Sequence, residues 1–196
     1  ALEAARGDPE SLRALLEHRG GFNWTPLYGA ACNGHGEVVQ LLLEAGADRD
    51  ARGNDRWTAL NMAGCKLHGE LSRLLLEADR DARGDDGWTA LHRAACNGHW
   101  EVVRLLLEAG ADRDTRTVNG NTPLHTAACN GHGEVVRLLL EAGANRDARG
   151  NDGWTALHRA ACNGHWEVVR LLLEAGADRD GRVINGIPTL HTAACN

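Results

Sequence analysis

Six cysteines stand at positions 32, 65, 96, 129, 162 and 195, separated by steps of 33, 31, 33, 33 and 33 residues. So regular a step implies an array of one small unit rather than a single irregular core. A period of 20–50 residues is the mark of a solenoid, in which each unit buries its apolar face only against its neighbours. Other landmarks keep the same step. His-Arg/Thr-Ala-Ala-Cys-Asn-Gly-His recurs at 92–99, 125–132 and 158–165, and truncated at 191–196. Leu-Leu-Leu-Glu-Ala recurs at 41–45, 74–78, 105–109, 138–142 and 171–175.

Within one unit the pattern predicts two short antiparallel helices and a hairpin. Thr122 suits an N-cap and Pro123 the first helical position. Leu124, Ala127 and Ala128 form a short apolar face, and Asn130-Gly131 ends it. A second helix is expected from near His132, with Val135, Val136, Leu138, Leu139 and Leu140 on its buried side and Gly143 as its stop. The polar stretch 144–153 ends in Gly-Asn-Asp-Gly, a tight-reversal signal.

These residues carry a resemblance. Thr122-Pro123-Leu124-His125-Thr126-Ala127, then Gly131-His132, Val135-Val136, Leu138–Leu140 and Gly143-Ala144, resemble the ankyrin repeat, with its 33-residue period and T-P-L-H-x-A signature. The likeness recurs in register along essentially the whole chain. It implies an all-α ankyrin-type solenoid of helix-turn-helix units with projecting β-hairpin fingers. It also implies a concave groove, lined by first helices and fingers, that binds another protein.

The expected organisation is one array over 1–196. A degenerate unit spans 1–23, full units span 24–56, 57–87, 88–120, 121–153 and 154–186, and a truncated one spans 187–196. Residues 87–114 and 153–180 are the same string, offset by 66, so the array has a two-unit super-period. Recent duplication and design both produce this, and the irregularities favour duplication. Only five steps separate Gly20 from Thr25, which predicts that the first finger is missing. The unit 57–87 lacks the Gly-Ala after Leu-Leu-Leu-Glu-Ala and so loses its glycine helix stop. Thr-Pro is inverted at Pro188-Thr189. The last unit offers Leu190, Ala193 and Ala194 but no second helix, so residues 183–196 are expected either to pack on another chain, through end-to-end self-association, or to be poorly ordered.

Net charge is −6, from 27 acidic and 21 basic residues, and Lys66 is the only lysine. No basic-aromatic patch points to nucleic acid. No stretch reaches the ~18 apolar residues of a membrane span, and no signal peptide is visible. Neither a Ser/His/Asp constellation nor a phosphate loop is present, so no enzyme activity and no cofactor are expected. Equivalent cysteines on stacked helices lie ~8–10 Å apart, beyond the ~7 Å that a disulfide spans. Free thiols suit a reducing, cytoplasmic or nuclear compartment.

His92, Cys96 and His99, with equivalents at 125/129/132 and 158/162/165, offer zinc-type ligands. Both histidines hold ordinary positions of the resembled repeat, so they are read as structural and no metal is assigned. Trp100 and Trp166 are expected to fill space left by a neighbouring glycine. Trp57, Trp88 and Trp154, beside the helix caps (with Trp24 in the unit before them), either contact a partner or pack on the next finger. The Arg-Asp pairs at 49–50, 80–81, 113–114, 146–147 and 179–180 should form two parallel ladders able to cross-pair, and are read as a solvated, charge-alternating edge rather than a binding site.

The expected function is non-catalytic recognition of a partner protein or peptide. Its contacts are placed on Asn54, Asp55, Trp57, Asp85, Asp86, Trp88, Cys96, Asn97, Asn119, Asn121, Asn151, Asp152, Trp154, Cys162 and Asn163. The acidic tips lean toward a basic or polar segment. An idealised array without a partner, and a targeting module of a larger enzyme, are the alternatives.

Overall fold

In the computed structural model the described residues are 9–65 and 69–179. The truncated unit, the inverted Pro188-Thr189, Cys195 and the expectation for 183–196 lie outside them. Among the described residues there are eleven α-helices and no β-strand. A lone helix α1 (Pro9–Leu16) comes first. Five pairs follow, one per unit: α2 (Pro26–Asn33) and α3 (Gly36–Glu44), α4 (Ala59–Cys65) and α5 (Gly69–Leu75), α6 (Ala90–Asn97) and α7 (Trp100–Glu108), α8 (Pro123–Cys129) and α9 (Gly133–Glu141), α10 (Ala156–Cys162) and α11 (Trp166–Glu174). Successive first helices pack more closely than successive second helices.

The local signals act as the residue pattern predicts. Thr122 is extended (φ −92°, ψ 168°) and caps α8, with Pro123 in the first turn. The helix α9 ends where the Ala144 N–H reaches back 2.9 Å to the Leu139 carbonyl across Gly143, whose φ is +81°. This is the glycine-dependent stop that leaves few orphan carbonyls. Leu124, Ala127, Ala128, Val135, Val136 and Leu139 are buried, and one apolar cluster runs unbroken from Leu16 to Ala177.

In the units 88–120 and 121–153 two imidazoles stitch the unit to its neighbours. The Thr122 N–H donates to Nδ1 of His125 at 3.2 Å, which makes Nδ1 an acceptor; Nε2 then donates to the Trp154 carbonyl of the next finger at 3.0 Å. His92 repeats this with Thr89 at 3.3 Å and the Asn121 carbonyl at 3.1 Å. The second histidine points back: His99, His132 and His165 reach the carbonyls of Cys65, Cys96 and Cys129 at 3.1, 2.9 and 3.0 Å. His132 also lies against Gly98, where a Cβ would stand 2.6 Å from its Nδ1, so only glycine fits there. The His-Cys-His pattern is thereby explained as inter-unit bridging.

The fingers are tight reversals, each closed by two backbone bonds. In the finger 150–154 the Gly150 N–H reaches the Trp154 carbonyl at 2.8 Å and the Gly153 N–H reaches Gly150 at 3.0 Å. The first finger, expected to be missing, is present as a tip: Gly20 N–H to Trp24 carbonyl at 3.1 Å and Asn23 N–H to Gly20 at 3.1 Å. What the short spacing removes is the stem, and Phe22 and Asn23 adopt φ of 64° and 62° to close the turn. Neighbouring tips are joined in a line by single backbone bonds, Asn54 to Phe22, Asp85 to Asp55, Val118 to Asp86 and Asn151 to Asn119.

Among the described residues the pairs from 49–50 to 146–147 do not cross-pair between units, though Arg113 and Arg146 lie 4.0 and 3.8 Å from their own Asp114 and Asp147. Instead the carboxylates of Asp50, Asp81, Asp114 and Asp147 accept the backbone N–H of residues 79, 112, 145 and 178 in the next unit, at 2.7–3.0 Å. A preorganised N–H is a better partner here than a long, entropically costly arginine. A different set of arginines does form a ladder. Arg19, Arg52, Arg83 and Arg116 each donate to the carbonyl of the equivalent arginine one unit on, at residues 52, 83, 116 and 149.

Trp100 and Trp166 also depart from expectation. They are 42% and 72% exposed, so neither ring is core. The equivalent Gly133 already has Glu167 and Leu171 within ordinary contact of a Cβ. A side chain at position 133 would therefore lean on the next unit's surface. Arg104 lies over the Trp100 ring at 5.7 Å.

Candidate interaction surface

The fifteen expected contact residues fall into two rows, one at the fingers and one at the ends of the first helices. At the fingers, Asn54, Asp55, Asp85, Asn119, Asn151 and Asp152 are exposed, while Asp86, Asn121, Trp57, Trp88 and Trp154 are half-buried. At the ends of the first helices, Asn97 and Asn163 are exposed, and Cys96 and Cys162 are half-buried. Asn97 and Asn163 each donate to the carbonyl four residues earlier, at 2.9 and 2.8 Å. Asn163 also reaches the sulfur of Cys129 at 3.6 Å, as Asn130 reaches that of Cys96 at 3.5 Å. Cys32, Cys65, Cys96, Cys129 and Cys162 are thiols that form no disulfide. Burial pushes the Cys96 thiol up, so it is less reactive than a solvated one.

The tip aspartates shape their own turns. Oδ1 of Asp55, Asp86 and Asp152 accepts the N–H of Trp57, Trp88 and Trp154 at 3.1, 2.9 and 3.0 Å. Two of these carboxylates are also neutralised from within. Arg93 Nη2 lies 2.5 Å from Asp86 Oδ2, and Arg159 Nη2 lies 2.6 Å from Asp152 Oδ2. Asp85 has Arg56 at 3.9 Å. The acidic lean expected of residues 85–86 and 152 is therefore largely cancelled.

Arg93 and Arg159 are not among the residues that the sequence pattern singles out. The guanidinium of Arg93 sits between two indoles, 3.8 Å from the Trp57 ring centre and 4.4 Å from that of Trp88. Such stacks are worth ~0.5–2 kcal/mol according to burial. A signal for them does exist: each arginine stands five residues after a tryptophan, where other units carry Gly29, Met62 and Thr126. Trp57 also packs on the next finger, its indole lying where a side chain on residue 84 would be.

Burial drives His92 and His125 down to about 4, so both imidazoles are neutral at pH 7. That matches the geometry, since protonating Nδ1 would turn the acceptor for the capping N–H into a second donor. Among the described residues no three His, Cys, Asp or Glu side chains gather as a metal site. No helix there is long and apolar enough to cross a membrane.

Paired helices stacked in register, with capped fingers along one edge, define an all-α repeat solenoid. The family model for ankyrin repeats matches in three copies, over residues 1–83, 49–117 and 110–183. The chain belongs to the ankyrin repeat family. No curated protein matches it. Ankyrin repeats are generally protein–protein interaction modules, and the family is typically non-catalytic.

Proposed function

We propose that this array is a non-catalytic binding module that holds a protein or peptide partner along its concave face, in a reducing compartment, cytoplasmic or nuclear. One observation carries the reading. Fingertip residues Asn54, Asn119 and Asn151 and helix-end residues Asn97 and Asn163 are exposed on the same side as the half-buried indoles of Trp57, Trp88 and Trp154. Amides and indoles are suited to an interface, since they supply hydrogen bonds and apolar area together. The outer helices instead expose charged residues such as Arg104, Glu134 and Arg137.

Photo-crosslinking tests this. A crosslinkable residue at Asn97 or Trp154 should trap a discrete partner in cell extract, whereas the same residue at Arg104 or Arg137 should not. Trapping confined to the outer positions would overturn the assignment.

A further inference from the structure

The cis arginines are a template for a ligand. Asp86 is paired with a guanidinium held over Trp57 and Trp88, and Asp152 with one whose carbon lies 5.1 Å from the Trp154 ring centre. The finger of residues 53–57 has the same carboxylate and indole, Asp55 and Trp57, with Trp24 standing one unit earlier as Trp57 does for Arg93. The fifth residue after this indole is Met62, which is 9% exposed. A methionine is about as long as the methylene stem of an arginine and carries no guanidinium.

Asp55 is exposed, and its oxygens accept from uncharged groups, the Trp57 N–H at 3.1 Å and the Tyr28 hydroxyl at 3.2 Å. No cation stands within ion-pair distance of it among the described residues. Burial and then the Asp55 charge push the Tyr28 hydroxyl up, so Tyr28 stays a neutral donor. Tyr28, buried, and Phe22 stand 4.9 and 5.9 Å from the Trp24 ring centre. Phe22 is 76% exposed and held at φ 64°.

We propose that Asp55, Trp24 and Trp57 form a station for an arginine side chain of the bound partner, which supplies in trans the guanidinium that Arg93 and Arg159 supply in cis. A guanidinium suits the station because its flat face stacks on indole while its edge donates to a carboxylate. The proposal rests on the concave-face reading and names the partner chemistry at one end of it.

The test titrates the full chain, labelled with nitrogen-15 on its tryptophan indoles, with a short acetylated Gly-Arg-Gly peptide and with its citrulline and lysine counterparts. The arginine peptide should shift the indole N–H signals of Trp24 and Trp57 saturably at millimolar concentration and leave those of Trp100 and Trp166 in place. Citrulline should shift neither, and lysine should act more weakly. Asp55→Asn should weaken the response about fivefold, the effect of losing a partly exposed ion pair. Met62→Arg should abolish the response by filling the station in cis, with an unchanged circular dichroism spectrum. No shift, an equal response to citrulline or lysine, or a response undiminished in Met62→Arg would overturn the station. The broader reading fails separately, by loss of the crosslinks from Asn97 and Trp154.

Discussion

The units 57–87 and 121–153 solve one stacking problem with different residues, and the second solves it more completely. In 121–153, His125 bridges its own cap to the next finger at Trp154. In 57–87, Asn61 stands at that place. Its Oδ1 accepts the Thr58 N–H at 2.9 Å, but its Nδ2 reaches only the Ala82 carbonyl, at 3.3 Å, short of the next fingertip. Val136 of the regular unit becomes Ser72, fully buried with an unpartnered hydroxyl. The second helix shortens from nine residues to seven, and Ala78 closes it with a tight bond to Leu75 instead of a glycine stop. Ala128 becomes Gly64, where a Cβ would stand 2.8 Å from the Ala90 carbonyl oxygen. The comparison teaches that stacking survives the loss of several repeat signals when the neighbouring unit moves in, at the cost of bonds that span the interface.

The largest way to break this difference is acid. His92 and His125 sit near 4 when folded, against about 6.5 when unfolded. The unfolded chain therefore binds more protons between those values. Stability is complete above about pH 6.5, falls as pH drops toward 4, and levels below it, by about 1.4 kcal/mol per histidine per pH unit. Asn61 contributes nothing to this slope. Amide exchange in α7 and α9 should accelerate steeply from pH 7 to 5, after correction for intrinsic rates, and the protection they hold over α5 should shrink. A His125→Asn variant with the slope of the parent would show that burial of this imidazole is not its cause.

At neutral pH the same contrast sets an order of opening. Repeat arrays store their stability in nearest-neighbour interfaces. The amides of α5 should exchange before those of α7, α9 and α11. Ser72→Val should narrow the gap, because a buried hydroxyl without a partner costs ~1–3 kcal/mol. Denaturant melts should show a gain of about 1–2 kcal/mol. A loss of stability would mean that the valine does not fit between α5 and its neighbours.

The paired helices are legible in the residues alone. The period, the Thr-Pro and Asn-Gly punctuation and the Leu-Leu-Leu stripe locate them, because each is a local signal repeated until chance is excluded. The departures share another origin, since they concern which of two partners wins across an interface. Asp50 and its equivalents have an arginine beside them in sequence, yet Oδ1 of each takes the next unit's N–H, and only Asp114 and Asp147 keep that arginine within 4.0 Å as well. Five steps from Gly20 to Thr25 look too few for a finger, yet left-handed turns at Phe22 and Asn23 supply its tip. The role of Arg93 is hidden in the sequence because it depends on Trp57, a residue 36 positions earlier.

The smallest effects belong to the outer tryptophans, and they sharpen the same lesson. The spacing alone suggests a core residue opposite a glycine, for which truncation would cost ~3–5 kcal/mol. At 42% exposure Trp100 keeps only part of that burial, and its arginine stack lies at a loose 5.7 Å. Trp100→Ala should therefore cost about 1 kcal/mol, from partial loss of apolar area. Trp166, at 72% exposure, should cost less, within the ~0.5 kcal/mol of ordinary surface changes. Paired denaturant melts of the two variants check this ordering. A cost for Trp166→Ala equal to or above that for Trp100→Ala would show that something outside residues 9–179 covers that ring.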